Sequence, residues 1–158
     1  MTPVQTPATV RVSRIIAASL IGGVTLFAII AWLVVQESGP QASDPAAGPV
    51  MLYAWAGVAF ASVSAAAVLW RLKVSPLIEE PRRGGPGASA AHDEALQTAL
   101  IITWALLEGP ALFGLVVYLL TAWIPAYAGG LLLGWLGIGL TFPRTAWYRN
   151  GRAQRSEI

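Results

Sequence analysis

Residues 99–120 read ALIITWALLEGPALFGLVVYLL, an apolar stretch in which Glu108 is the one charged side chain. A helix of this length, at about 1.5 Å per residue, matches the hydrocarbon core of a bilayer, which is about 30 Å thick. The apolar residues run continuously instead of alternating with polar ones, which favours a helix over a barrel strand. The stretch therefore predicts a transmembrane helix with an acid near its middle.

Three further stretches have the same character, at 15–35, 50–70 and 123–142. Hydrophobic residues make up 56% of the chain and charged residues 11%, a balance unlike that of a soluble protein surface. Only helices or closed barrels satisfy the backbone hydrogen bonds of a segment in lipid. The sequence predicts an all-α integral membrane protein, with four transmembrane helices in one membrane domain over 1–158.

The basic residues define the expected orientation. All ten Lys and Arg lie within 11–14, 71–83 and 144–155, which a four-span topology places on one side of the membrane. The positive-inside bias then predicts an inner or plasma membrane protein with both termini in the cytoplasm. The cytoplasmic interval 74–91 is rich in Pro and Gly, so we expect it to be a flexible loop.

A weak internal repeat is visible. A shift of 86 residues aligns 15–33 with 101–119, and the identities include Gly23 with Gly109 and Phe27 with Phe113. This pattern indicates two duplicated helical hairpins in the same orientation. The alternative is chance similarity between two helices rich in Leu, Ile and Ala.

Glu108 is the one residue of this span whose ionised side chain is unfavourable in a bilayer. An ionised carboxylate at the centre of a bilayer costs about 2.5–3.5 kcal/mol on insertion scales, and none of the four spans contains Lys, Arg or His. We therefore expect an uncharged, buried carboxyl that hydrogen-bonds a neighbouring carbonyl or hydroxyl. Its candidate hydroxyl partners are Thr25, Ser62, Ser64 and Tyr53.

Gly109 and Pro110 follow the acid directly. Proline lacks the N–H that would bond the Leu106 carbonyl, so a kink is expected beside Glu108. A free carbonyl next to a protonatable group makes a candidate proton or ion site. In the alternative, a protonated Glu108 hydrogen-bonds across helices and Pro110 only bends the bundle.

The run 101–117, IITWALLEGPALFGLVV, resembles the carboxylate-bearing helix of the proteolipid rotor (c-type) subunit of rotary ATP synthases. In that family an acid is followed six positions later by Gly-Leu-Val-Val, as Glu108 is followed here by Gly114 and its neighbours. The resemblance covers one of the four spans. It implies that Glu108 reversibly carries a proton or a sodium ion.

Small residues recur at four-residue spacing in two other spans. Gly57, Ala61 and Ala65 lie in the second span, and Gly130 and Gly134 in the fourth. Such spacing is typical of membrane helices that pack closely. It predicts a small four-span subunit of a larger assembly, in contact with lipid and with other subunits or copies of itself. The alternative function is a proton- or sodium-translocating subunit.

Several classes of function lack their usual residues. The chain has no cysteine and one histidine, His92, which lies outside the spans, so thiolate sites and bis-histidine haem ligation are excluded. No nucleophile with an adjacent base is recognisable, and the basic residues flank the spans instead of forming a nucleic-acid stripe. We expect neither an enzyme nor a cofactor, metal or nucleic-acid site.

Overall fold

Helices make up the regular structure of the described chain. The computed structural model describes residues 8–40, 47–79, 86–144 and 147, and within these ranges it contains no strand. The all-α prediction is confirmed for this part of the chain. The elements are α1 (Ala8–Ser38), α2 (Ala47–Leu69), a π-helical turn (Trp70–Val74), α3 (Ser75–Glu79), α4 (Pro86–Thr121) and α5 (Ile124–Leu140).

Three helical stretches are long and apolar enough to cross a membrane, namely Ala8–Ser38, Gly48–Glu79 and Ala90–Thr121. The fourth, α5, is apolar but has 17 residues. Its length of about 26 Å is at the lower limit for a spanning helix. By length and composition, the structure thus contains three or four helices that are able to span a bilayer.

The interval 74–91, predicted as a flexible loop, is helical at both ends. Val74 ends the π-helical turn, α3 follows it directly, and α4 begins at Pro86; residues 80–85 lie outside the described ranges. The prediction treated the prolines as breakers. Pro86 instead lies in the first turn of α4, where the N–H groups have no partner within the helix. Pro76 follows the π-helical turn directly, and the helix continues through it.

Helix α4 is the centre of the bundle, since it packs against α1, α2 and α5. One core cluster joins Val10, Val74, Leu100 and Ile138, which shows that the start of α1, the π-helical turn, the first half of α4 and the end of α5 meet. This end of the bundle also carries the described basic residues, which are Arg11, Arg14, Arg71, Lys73 and Arg144.

The two helical hairpins that the internal repeat predicts, α1 with α2 and α4 with α5, pack differently. Helices α4 and α5 form an antiparallel pair joined by a two-residue turn, at 122–123. Helix α2 docks on α4, whereas α1 packs against both α4 and α5. The segments aligned by the internal repeat therefore occupy different packing environments, and the duplication stays a prediction from sequence.

Glycines set the close approach of α4 and α5. A Cβ atom added at Gly130 would lie 2.6 Å from the carbonyl oxygen of Ala111, and one at Gly114 would lie 2.8 Å from the carbonyl oxygen of Ala126. Both distances are to backbone atoms, which cannot move aside as a flexible side chain can. The two helices are therefore in near-backbone contact.

Gly130→Ala should destabilise the bundle, because the added methyl group forces α4 and α5 apart; overpacking of this kind costs about 1–3 kcal/mol. Gly139→Ala is the matched control on the same helix, since a methyl group added there would meet no atom of a neighbouring element within 4 Å. Alanine improves helix propensity similarly at both sites. Thermal unfolding in detergent, followed by circular dichroism, should show a lower Tm for Gly130→Ala only. Equal Tm values for the two variants would contradict the close contact.

Candidate functional site

Glu108 lies on the edge of α4 that faces α1. Trp104, one turn before it, belongs to the core cluster that includes Ala17 of α1. Leu112, one turn after it, packs against the cluster that contains Val24 of α1. Residues four apart share one face of a helix, so Glu108 belongs to the same row.

The Glu108 carboxyl is half-buried at the surface of the bundle, instead of enclosed by it. Neighbouring Ala105 and Gly109 are exposed. Within the described ranges no hydrogen bond or ion pair reaches the carboxyl, and its oxygens are accessible at the surface. The expected hydrogen bond to a neighbouring carbonyl or hydroxyl is therefore not formed among the described residues.

The position of α2 explains why its hydroxyls do not reach the acid. Trp55 contacts α4 at Pro110 and Gly114. Two residues correspond to about 200° around an α-helix, so Pro110 and Glu108 lie on nearly opposite sides of α4. Ser62, Ser64 and Tyr53 belong to that far helix. The fourth candidate, Thr25, donates instead to the Ile21 carbonyl, at 2.7 Å.

Trp55 anchors α2 to the rest of the bundle. Its indole Nε1–H donates to the Pro110 carbonyl at 2.9 Å. A Cβ atom at Gly129 would lie 2.5 Å from the Trp55 ring, and one at Gly114 would lie 2.7 Å from Nε1. The ring thus fills a notch that exists because two glycines, from α4 and α5, have no side chain. Sequence reasoning missed this contact, and the only signal for it was the pair of glycines.

Helix α4 continues through the Gly109-Pro110 pair, with Pro110 in its interior. No atom lies within 4 Å of the position that a Cβ of Gly109 would occupy, so no close approach within this chain requires that glycine. Gly109 instead leaves open space beside Glu108.

The other polar side chains of the bundle contrast with Glu108. Three indole N–H groups bond across helices: Trp55 to Pro110, Trp104 to the Thr141 hydroxyl at 3.0 Å, and Trp135 to the Thr25 hydroxyl at 3.0 Å. Thr25, Thr103, Thr121 and Thr141 each donate to the carbonyl four residues earlier. Hydroxyl groups on helices in apolar surroundings typically bond in this way. Glu108 has no comparable partner in the described chain.

The two sets of small residues have different environments. Gly130 and Gly134 of α5 are buried against α4 and α1. Gly57, Ala61 and Ala65 of α2 are exposed, and a Cβ atom added at Gly57 would meet no atom within 4 Å. The small residues of α5 therefore pack against other helices of the same chain, whereas those of α2 face outward.

An aromatic cluster joins α1, α4 and α5 at the end opposite to the basic residues. Trp32 stacks on Tyr118 with ring centroids 6.1 Å apart, and Tyr127 lies 4.7 Å from Tyr118. Tyr118 is almost fully buried. The cluster fixes three helix ends but brings no charged group to Glu108. Among the described residues, no group of three or more His, Cys, Asp or Glu is placed to hold a metal ion.

Comparison with known proteins gives no relative: the chain matches no protein-family model, no curated protein and no solved structure. The resemblance of 101–117 to the c-type rotor subunit therefore stays a prediction.

Trp55→Phe should weaken the attachment of α2, because it leaves the Pro110 carbonyl without its indole donor. Hydrogen bonds between membrane helices contribute about 0.6 to 1.7 kcal/mol, so we expect a loss of about 1 kcal/mol in the free energy of unfolding. Trp123→Phe is the control, since the Trp123 side chain is exposed and outside the notch. Unfolding in detergent mixtures measures both. Equal stabilities of the two variants would show that the indole bond contributes nothing.

Proposed function

We propose that this protein is a four-span integral membrane subunit that packs laterally in a larger assembly, with both termini on the cytoplasmic side of an inner or plasma membrane. The lengths of the apolar helices and the grouping of the described basic residues at one end of the bundle support this topology. No catalytic activity is proposed.

The surface of the bundle supports a membrane environment. Large apolar side chains are exposed, including Phe60 at 78% and Leu140 at 74%. Apolar exposure over whole helices favours aggregation in water, whereas lipid chains cover it. Thr25, Thr103, Thr121 and Thr141 and the indoles of Trp55, Trp104 and Trp135 find hydrogen-bond partners within the chain, as an environment without water requires.

The observation that carries the subunit proposal is the outward face of α2. Trp55 and Ala66 face α4, whereas Gly57, Ala61 and Ala65 are exposed on the other side of the helix. Small residues let the backbones of two membrane helices approach closely, as they do between α4 and α5 of this chain. The face of α2 therefore suits a helix from outside the chain.

Ala61→Leu should disrupt this assembly, because the larger side chain keeps an incoming helix from the α2 backbone. Ala56→Leu is the control, since Ala56 is also exposed on α2 but lies outside the small-residue row. Native gel electrophoresis of mildly solubilised membranes should show wild type and Ala56→Leu above monomer size and Ala61→Leu at monomer size. A monomeric wild type, or an unchanged Ala61→Leu, would contradict the proposal.

A second candidate function, proton or sodium translocation, is favoured by the place of Glu108. A carrier group must bind and release its ion. An accessible carboxyl without a bonded partner in the chain can do so, whereas an enclosed carboxyl cannot. Helices α2 and α4 run antiparallel, with Trp55 beside Pro110 and Lys73 near Glu94, so Ala61 is at about the level of Ala105, one turn before Glu108. Copies joined head to tail would cover Glu108 with the α2 face of the next copy, and such contacts form rings or filaments.

A hydrophobic carbodiimide should label Glu108 selectively, because the reagent enters the bilayer and reacts with protonated carboxyl groups. Glu37 and Glu94, which are exposed near the helix ends, are the internal controls. Peptide mass spectrometry measures the sites, and proton flux into liposomes measures carriage. If Glu108 is an ion carrier, Glu108→Gln abolishes the flux and the labelling. Labelling without any flux would leave only the subunit function.

Cross-linking distinguishes a head-to-tail arrangement of copies from one in which two α2 faces meet. The chain has no native cysteine, so introduced cysteines react without background. A head-to-tail contact predicts a ladder of oligomers for the double variant Ala61→Cys/Ala105→Cys, and no ladder for either single variant. Dimers of Ala61→Cys alone would indicate that two α2 faces meet, and would contradict the head-to-tail contact.

A further inference from the structure

A second feature of the bundle is a groove between α2 and the first half of α4. It has a volume of about 490 Å³ and lies at the end of the bundle that carries the basic residues. Leu69, Lys73 and Leu77 form one wall, at four-residue spacing. Glu94, Thr98, Ile102 and the alanines between them form the other wall.

The π-helical turn and α3 shape the mouth of this groove. Pro76 has no N–H for the Leu72 carbonyl, and the Ser75 N–H bonds instead to the Trp70 carbonyl, five residues earlier. The helix continues into α3, which contacts α4. There the His92 Nε2–H donates to the Leu77 carbonyl at 2.8 Å. The walls are thus joined at the outer end, and Lys73 lies within the widened turn.

Lys73 and Glu94 are the charged residues of the groove, and the lining on the inner side of them carries no charge. Lys73 and Glu94 are both exposed at the mouth, and within the described chain neither makes an ion pair. From Glu94 to Ile102 the groove wall extends about 12 Å along α4, close to the thickness of one hydrocarbon leaflet, about 15 Å. A positive and a negative group therefore lie on opposite walls of the groove, next to a stretch without charged residues.

We propose that the groove binds a phospholipid with a primary ammonium group, of the phosphatidylethanolamine type. Lys73 contacts its phosphate, Glu94 accepts hydrogen bonds from its ammonium group, and one acyl chain lies against Leu69, Thr98 and Ile102. The assignment rests on the proposed membrane location, with this end of the bundle at the cytoplasmic leaflet.

Charge complementarity selects this lipid over the other candidates. An anionic glycerol lipid satisfies Lys73 and leaves Glu94 beside a second negative charge. A choline lipid has the same two charges, but its trimethylated nitrogen has no N–H to donate to Glu94. The groove at the opposite end of α2, lined by Leu52, Tyr53 and Trp123, has no charged group and so no basis for headgroup selection.

Native mass spectrometry of the full chain, titrated with ethanolamine, choline and glycerol phospholipids of equal chain length, tests the proposal. We expect the ethanolamine lipid to bind about tenfold more tightly than the other two, the effect of one charge-assisted hydrogen bond. Glu94→Gln should reduce this preference, because a neutral amide oxygen accepts a weaker hydrogen bond from the ammonium group than a carboxylate does. Lys73→Gln should weaken the ethanolamine and choline lipids alike, also by about tenfold.

Arg71→Gln and Glu37→Gln are the controls, because both residues are exposed and outside the groove. Equal binding of the three lipids by wild type, or a loss in Arg71→Gln equal to that in Lys73→Gln, would overturn the proposal. A changed fraction of dimer without a change in bound lipid would assign the groove to a second copy, and would also overturn it. Retention of the chain in carbonate-washed membranes tests the membrane location separately, whatever the lipid result.

Discussion

The near-backbone contact between α4 and α5 is the constraint on which the rest of the bundle depends. Gly114 and Gly130 bring the two helices together until an added methyl group would meet backbone atoms. The same approach, with Gly129, leaves the notch that Trp55 fills. Helix α2 docks on α4 with this indole ring in the notch, and most of its residues remain exposed to lipid or to another helix.

This arrangement also determines the surroundings of Glu108. Helix α4 contacts α2 and α5 on the sides that carry Pro110 and Gly114, and α1 covers part of the remaining circumference. Glu108 lies at the uncovered edge beside Ala105 and Gly109. A carboxyl in that position is accessible to a group or an ion from outside the chain. The second proposed function rests on this geometry, whereas the first rests on the outward face of α2.

The two grooves lie at opposite ends of α2. Trp55 bonds to Pro110 of α4 at a level between them. The two grooves differ in chemistry because Lys73 and Glu94 lie at only one of them. Lipid selectivity is therefore expected at one end of the bundle only.

The sequence by itself determined the helical class, the apolar stretches and the grouping of the basic residues, since these depend on local composition and on the thickness of a bilayer. It also singled out Glu108, because one acid in an apolar helix is visible without coordinates. Only the tertiary structure decided which small residues are used inside the chain, and it placed Gly130 inward and Ala61 outward although both have the same spacing. It also decided that Trp55 fills a notch and that Glu108 reaches the surface. The physical reason is that the rotation of each helix about its own axis depends on the fit of all its neighbours, and a uniformly apolar helix has no polar face to reveal that rotation in its sequence.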